Sequence, residues 1–293
     1  MQRANANTHN TNPPALIGVL DSGVGGLSVL REIHRALPAH PTYYLADQAH
    51  VPYGPRPISE LFQFSDGITR YLLDQGARVI VMACNTASAA SLHDLRAKYP
   101  DVPFVGMEPA VKPAVEATRT NVIGVLSTQV TASGELFKQT VAKYASHVRV
   151  VVQVAPALVQ LVERGDWESP EGDAILRDHL TPLMEAGADQ IALACTHFPF
   201  LIDAMQRLIN AHYDGRARLI DPSPAVARQV RRVLERENLL CEGDVVAQHV
   251  YSTTGSAARL ESMLRRLIAV DAPVQSLAWD NDARAISAIP VNG

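Results

Sequence analysis

The chain has 293 residues, 47% of them hydrophobic, and a formal net charge of −4 at pH 7. That length suits one large domain or two of ordinary size, and the hydrophobic fraction excludes a disordered protein. The net negative charge argues against a nucleic-acid-binding protein. Three cysteines without a CxxC pair exclude a disulfide framework and argue against a structural zinc site.

The sequence predicts no export signal and no membrane span. Residues 1–14 are rich in Asn and Thr, lack the apolar run of a signal peptide, and are expected to form a disordered tail. The longest apolar stretch, 148–162, is interrupted by Arg149, Gln153 and Pro156. We therefore expect a soluble protein of the cytoplasm, where thiols stay reduced.

Short aliphatic runs alternate with helical stripes along the chain, which is typical of an α/β fold with mostly parallel strands. The proline-rich segment 51–57 predicts a loop, which either holds Tyr53 and the Gly54 amide in a fixed place or is an ordinary connection. The predicted strands are 17–20, 42–46, 79–83, 104–106, 121–126, 148–154, 190–194, 218–220, 246–251 and 274–278. The predicted helices include 59–75, 87–99, 200–210, 225–237 and 256–268.

Two pairs of segments nearly repeat each other. Residues 17–22 (IGVLDS) resemble 123–128 (IGVLST), and residues 76–86 (GARVIVMACNT) resemble 187–197 (GADQIALACTH). The repeats occur in the same order at almost the same separation, which predicts two similar, pseudo-symmetric lobes. Each lobe is expected to have a mostly parallel sheet flanked by helices. The strand ends of both lobes would meet at one cleft, the expected active site.

The predicted lobes take separate parts of the chain. After the tail at 1–14, lobe 1 takes residues 15–108 and lobe 2 takes 109–217. Residues 218–280 are expected to return to lobe 1, because two lobes that share a cleft are commonly joined by two crossings. The last residues, 281–293, are predicted to be a tail.

Cys84 and Cys195 end the matched strands of the second repeat. A lone cysteine at the end of a buried strand is usually a small hydrophobic residue, but two at equivalent positions, each followed by polar residues, indicate a functional pair. With no metal motif, two facing thiols suggest proton removal from one face of a carbon and delivery to the other. A thiol suits both roles because its free pKa of about 8.5 leaves it partly ionised near neutrality.

Further ionisable residues are candidates for assisting the thiols. Asp21 ends the first strand, and His197 follows the second cysteine closely. The glycines at 23–26 suggest a phosphate loop, but the G-x-G-x-x-G spacing fails at Ser28 and a carboxylate would repel phosphate. Glycines that permit a sharp turn explain this segment equally well. Glu163 lies near a predicted helix end, where an isolated glutamate is usually a surface residue.

Five motifs together resemble the glutamate racemase family. They are D-S-G-V-G-G at 21–26, V-P-Y-G at 51–54, A-C-N-T-A at 83–87, L-V-E-x-G at 161–165 and C-T-H-F-P at 195–199. The likeness covers most of residues 16–280. It implies a cofactor-independent 1,1-proton transfer, without a metal, that makes D-glutamate for peptidoglycan. It also implies a homodimer.

The resemblance assigns roles to individual residues. It implies that Cys84 and Cys195 are the acid/base pair, with Cys84 acting on the D-isomer and Cys195 on the L-isomer. Asp21, Glu163 and His197 would assist them. The implied substrate contacts are Asp21, Ser22, Pro52, Tyr53, Gly54, Asn85, Thr86, Thr196 and His197.

Two other functions stay open. A racemase or isomerase of another small acidic substrate, such as aspartate, could use the same cleft. Ser88 and His197 argue for glutamate, because related aspartate racemases tend to show His and Glu there. A two-lobed regulatory protein that binds without turnover is the other alternative, and the two thiols argue against it because binding alone needs neither. Exchange of the substrate's α-hydrogen with solvent separates an enzyme from a binder.

Overall fold

The computed structural model describes residues 14–241, 247–280, 282 and 284–289. The predicted tail at 1–14 lies outside the described residues, apart from its last residue. The strands are β1 Leu16–Asp21, β2 Thr42–Ala46, β3 Ala77–Met82, β4 Phe104–Gly106, β5 Val122–Ser127, β6 Arg149–Val154, β7 Gln190–Ala194, β8 Arg218–Ile220, β9 His249–Thr253, β10 Val274–Trp279 and β11 Ile286–Ala288.

Helices follow most of the strands. They are α1 Leu27–Ala36, α2 Ile58–Asp74, α3 Asn85–Lys98, α4 Val111–Ala117, α5 Gln129–Ser133, α6 Glu135–Tyr144, α7 Pro156–Arg164, α8 Pro170–Glu185, α9 Ile202–His212, α10 Ser223–Arg236 and α11 Ala257–Ile268, with a 3-10 helix at Phe198–Leu201. No helix of the described residues is both long and apolar enough to cross a membrane.

Two sheets carry the same strand arrangement. The first has the order β11-β10-β9-β2-β1-β3-β4, and the second has the order β6-β5-β7-β8. Within β2-β1-β3-β4 and within β6-β5-β7-β8 all pairs are parallel. The repeated segments occupy equivalent places, β1 with β5 and β3 with β7. The prediction of two similar α/β lobes with mostly parallel sheets is confirmed.

The lobe boundaries differ from the prediction in two places. The predicted return to lobe 1 at residue 218 is too early, because β8 pairs with the open edge of β7, placing Leu219 opposite Ile191. The first strand to rejoin the first sheet is β9, beside β2. The predicted tail at 281–293 contains β11, which pairs antiparallel with β10. A three-residue strand is too short to show a recognisable sequence pattern.

Burial explains why the strands consist of consecutive aliphatic residues. In β1 and β3 the side chains on both faces are enclosed, with Ile17 and Val79 on one face and Leu20 and Ile80 on the other. One cluster of buried residues continues from α1 and β1 of the first lobe into α7 and β7 of the second. The two lobes therefore share apolar contacts, which stabilise their mutual arrangement.

Candidate active site

A cavity of about 360 Å³ opens where β3 and β7 end. Cys84 and Cys195 both line it, so the two matched cysteines face one site. Its lining also contains the predicted residues Ser22, Pro52, Tyr53, Gly54, Asn85, Thr86, Thr196 and His197. Asp21 and Glu163 are buried nearby but do not line the cavity.

Cys84 is held within lobe 1. It is the residue immediately before α3, which begins at Asn85 and thus two residues earlier than predicted. Its thiol donates a hydrogen bond to the Ser22 hydroxyl at 3.7 Å. Burial and then the neighbouring Asp21 carboxylate raise the pKa of Cys84 well above its usual range, and the opposing amide of Ala87 does not cancel them. Cys84 therefore keeps its proton near neutral pH.

Cys195 stands at the end of a hydrogen-bonded chain. Its sulfur lies 3.7 Å from Nδ1 of His197, and Nε2 of His197 lies 2.8 Å from Oε1 of Glu163. The same carboxylate oxygen accepts the backbone N–H of Val24 at 2.9 Å. All three side chains of the chain are buried. These hydrogen bonds thus connect the Cys195 thiol to the Glu163 carboxylate, which is itself hydrogen-bonded to the first lobe.

His197 and Glu163 hold each other in their charged forms. Burial alone would lower the pKa of His197, but its hydrogen bonds to Cys195 and Glu163 raise that pKa well above the usual value. Burial alone would raise the pKa of Glu163, but the hydrogen bond and charge of His197 hold that pKa below its usual value. A protonated imidazole donates from both nitrogens, so Nδ1–H points at the sulfur of Cys195.

Asp21 organises the loop after β1. Its Oδ2 accepts the backbone N–H groups of Gly23 at 3.1 Å and Gly26 at 2.8 Å. Its Oδ1 is buried and has no hydrogen-bond partner among the described residues. Burial raises the pKa of this carboxyl, although His197 and the two amides oppose the rise. Asp21 therefore lies within electrostatic range of both Cys84 and His197 while remaining outside the cavity.

The glycines of this loop provide space for the second lobe. None of Gly23, Gly25 and Gly26 has a positive φ, so the turn does not require glycine for its backbone angles. A Cβ on Gly23 would overlap Oε1 of Glu163, and one on Gly25 would overlap Nδ1 of His197. These glycines are therefore explained by close approach and not by their backbone angles: Gly23 and Gly25 leave room for the Glu163–His197 pair, and Gly26 leaves room for Asp21 and Ala83.

Replacing Gly25 with alanine is expected to remove most activity while leaving the protein folded. The new methyl would lie 2.6 Å from Oγ1 of Thr196 and closer still to His197, so both residues beside Cys195 must move. A misplacement of about 1 Å at a reacting group costs roughly 100-fold in rate. Turnover and circular dichroism of the variant check this. Gly76→Ala is the control for strain away from the cavity, because its φ of +91° disfavours alanine although a Cβ there meets nothing within 4 Å, so its turnover per folded molecule should be normal. Normal turnover in Gly25→Ala would contradict the assignment.

Several lining residues can bind a polar ligand. Asn85 is buried, and neither atom of its side-chain amide has a hydrogen-bond partner within the described part of the chain. Thr86 exchanges a hydrogen bond with Thr128 at 2.9 Å across the two lobes. Also in lobe 1, the Tyr53 hydroxyl donates to Asp47 at 2.7 Å. An unpartnered buried amide is costly, which makes Asn85 a favourable contact for a carboxylate.

The cavity lining contains residues that the sequence did not predict, namely Pro55 of lobe 1 and six residues of the lobe 2 wall. Thr128 could have been found, because it is the counterpart of Ser22 in the repeat of residues 17–22 and 123–128. The others have no recognisable signal, since their exposure to the cavity depends on how α5 and α7 pack. The missed lining residues are Pro55, Thr128, Gln129, Val154, Pro156, Val159 and Gln160.

The chemistry of the donors does not suit a metal. Across the described residues, no group of three or more His, Cys, Asp or Glu side chains is arranged to bind a metal ion. The two cysteines belong to different walls and each has its own hydrogen-bond partner. The arrangement instead offers two separate proton-carrying sulfurs at one small cavity.

A family model described as Asp/Glu/Hydantoin racemase matches residues 17–230, which is more than half of the chain. The chain belongs to this family. A curated relative named glutamate racemase from Roseiflexus sp. (strain RS-1) is 42% identical over 252 residues, covering 86% of this chain and 91% of the relative. Another of that name, from Deinococcus radiodurans, is 46% identical over 253 residues and covers 86% of each.

Solved structures of this racemase family share the fold. Glutamate racemase from Thermus thermophilus, in complex with β-chloro-D-alanine, is 33% identical with a TM-score of 0.74, covering 92% of this chain and 98% of its own. The Escherichia coli glutamate racemase, in complex with L-glutamate and an activator, is 30% identical with a TM-score of 0.75 and covers 87% and 96%. The two-lobed architecture is thus that of amino-acid racemases.

Proposed function

We propose that this protein is a glutamate racemase that interconverts L- and D-glutamate with two thiols and no cofactor. The observation that carries the proposal is the single cavity lined by both Cys84 and Cys195, at equivalent places in two related lobes. The names of the relatives at 42% and 46% identity support glutamate as the substrate. The proposed biological role is the supply of D-glutamate for peptidoglycan.

In the proposed mechanism, the α-carbon of the substrate lies between the two sulfurs. Cys195 removes the α-proton of L-glutamate, and Cys84 delivers its own proton to the opposite face. The reverse reaction exchanges the two roles. The protonated His197 would assist Cys195 with a hydrogen bond, and Glu163 would keep His197 charged. Asp21 would act on Cys84 and His197 through its charge.

The substrate's polar groups have candidate partners on both walls. The unpartnered amide of Asn85 and the hydroxyl of Thr86 would bind one carboxylate at the N-terminus of α3, where free backbone N–H groups favour an anion. Ser22, Pro52, Tyr53 and Gly54 would form the lobe 1 wall. Thr196 would complete the site beside Cys195.

The raised pKa of Cys84 predicts a pH dependence that can be measured separately from that of Cys195. In Cys195→Ser, Cys84 is the remaining base, and only its thiolate can remove a proton. Because its pKa lies above the ordinary thiol value of about 8.5, kcat/KM for proton abstraction should still rise with pH beyond that value. The assay uses D-glutamate carrying chlorine at Cβ, which loses chloride once the α-proton is removed. A plateau below about pH 8 would contradict the assigned environment.

We also propose a compartment and an assembly for this protein. Both catalytic sulfurs must remain reduced, and the three cysteines are free thiols, so we propose the cytoplasm. We propose a homodimer on the basis of the family resemblance. Light scattering of the purified protein would test the dimer, and a single monomeric species at micromolar concentration would contradict it.

A stereochemical assay tests the function directly. After exhaustive dialysis against a chelator, the protein should convert L-glutamate to D-glutamate and should leave L-aspartate unchanged. Conversion of aspartate alone would favour the related substrate instead. Loss of activity that a metal or an added cofactor restores would contradict the cofactor-independent mechanism. If the protein binds glutamate but exchanges no α-hydrogen with solvent, it is a binding protein and not an enzyme.

A further inference from the structure

Two arginines of α11 contact the turn that follows α7. α11 packs on β9, β10 and α1 of the first lobe, whereas α7 belongs to the second. Nη2 of Arg259 donates to the backbone carbonyl of Glu163 at 2.6 Å. The guanidinium of Arg266 lies 4.1 Å from the ring centre of Trp167 and 3.4 Å from Glu168. Both contacts therefore join the two lobes.

The turn after α7 lies very close to these arginines. Arg259 and Arg266 are seven residues apart, so they lie on one face of α11. α7 is followed directly by Gly165, whose φ of +82° is the left-handed conformation that favours glycine. A Cβ there would lie 2.5 Å from Nη1 of Arg266. The backbone of the turn thus lies directly against the guanidinium.

The position of this turn matters more for Cys195 than for Cys84. The carbonyl that Arg259 binds belongs to Glu163, whose side chain holds His197, and His197 in turn faces Cys195. Cys84 depends on Ser22 from its own lobe. The Glu163 carboxylate also accepts the Val24 N–H of the loop that carries Ser22, so a shift at the end of α7 would move the groups that assist Cys195 directly and those beside Cys84 less.

We propose that Arg259, with a smaller contribution from Arg266, is a positioning residue for the Cys195 half of the reaction. From the first lobe it fixes the end of α7, and through it the Glu163–His197 pair. This inference rests on the proposed two-thiol function. The smaller share of Arg266 follows from its partners, because its ion pair with Glu168 is exposed and such pairs contribute little.

An elimination assay separates the two thiols. The substrates are the two enantiomers of one diastereomer of glutamate with chlorine at Cβ, since Cβ is then a second stereocentre. Removal of the α-proton expels chloride and leaves an enamine, which water hydrolyses to 2-oxoglutarate and ammonium. Each enantiomer needs one thiol only, and Cys84→Ser identifies the enantiomer that Cys195 serves. The product 2-oxoglutarate is measured for both enantiomers with the same enzyme sample.

We expect Arg259→Met to lower kcat/KM about tenfold more for the enantiomer that Cys195 serves than for the other enantiomer. The reason is that the misplaced Glu163–His197 pair assists Cys195 and does not contact Cys84. Arg259→Lys, which keeps a charged donor, should recover part of the loss. Arg266→Met should shift the ratio in the same direction but less. Arg265→Met is the matched control, because Arg265 is an exposed neighbour that pairs with Asp271. It should leave the ratio unchanged.

The ratio of the two rates does not depend on the fraction of folded enzyme, so a destabilised variant remains informative. Equal losses for both enantiomers in Arg259→Met would overturn the proposal, as would the same change of ratio in Arg265→Met. If the unmutated protein eliminates neither enantiomer, the proposed function fails instead, and the two failures are distinguishable.

Discussion

Replacing either Cys84 or Cys195 with serine is expected to lower glutamate racemisation by roughly 10⁴-fold. A serine hydroxyl is far less acidic than a thiol, so it can neither accept the α-proton as an anion nor replace the delivering group. Both variants should fold, since the two side chains are similar in size. The racemisation rate by circular dichroism checks the loss. Cys241→Ser is the matched control, because this third cysteine is outside the cavity lining.

The same variants should each retain half of the chemistry. Cys84→Ser is expected to eliminate chloride from the L-enantiomer of the β-chloro substrate only, and Cys195→Ser from the D-enantiomer only. Elimination discharges the carbanion before a second thiol is needed, which separates abstraction from delivery. If each variant lost both enantiomers equally, the two thiols would not divide the faces of the substrate between them.

Replacing His197 with asparagine is expected to lower racemisation about 100-fold. The imidazolium is the hydrogen-bond donor that faces Cys195, and asparagine is too short to bridge the 3.7 Å and 2.8 Å contacts at once. The change also leaves the Glu163 carboxylate buried without its partner, so some loss of stability accompanies it. The loss in kcat/KM should be larger for the enantiomer that Cys195 serves.

A matched control distinguishes this effect from general damage. His212, at the exposed end of α9, is a suitable second site for His→Asn. That variant should keep both racemisation and the enantiomer ratio. Full activity in His197→Asn would show that the hydrogen bond from the imidazole to Cys195 has no part in the reaction.

The sequence predicts the fold and the thiol pair for one physical reason, the internal repeat. Matched aliphatic strands require matched sheets, and the carboxyl ends of β3 and β7 then bring Cys84 and Cys195 to one cleft. The same reasoning reaches Asn85 and Thr196, because they directly follow the cysteines. Buried strands and sharp strand ends are local properties, so a sequence pattern can reveal them.

Contacts between the lobes cannot be read from sequence alone. The Glu163 side chain looked like a surface residue, and only the packing of α7 brings it within 2.8 Å of His197. Gly25 suggested a turn, whereas the neighbouring imidazole is what leaves no space for a side chain. Resemblance to a family named Glu163 and His197 as assisting residues, but their hydrogen bond depends on how two distant segments meet.

The proton transfer in D₂O tests the two-base mechanism most directly. L-Glutamate is incubated in D₂O, and the α-hydrogen of both isomers is measured by mass spectrometry during the first few per cent of reaction. Because one thiol removes the proton and a different one delivers a solvent-derived deuteron, the D-glutamate formed should be almost fully deuterated while the remaining L-glutamate keeps its protium. D-Glutamate that retains the original proton would mean that one group serves both faces, and would contradict the account.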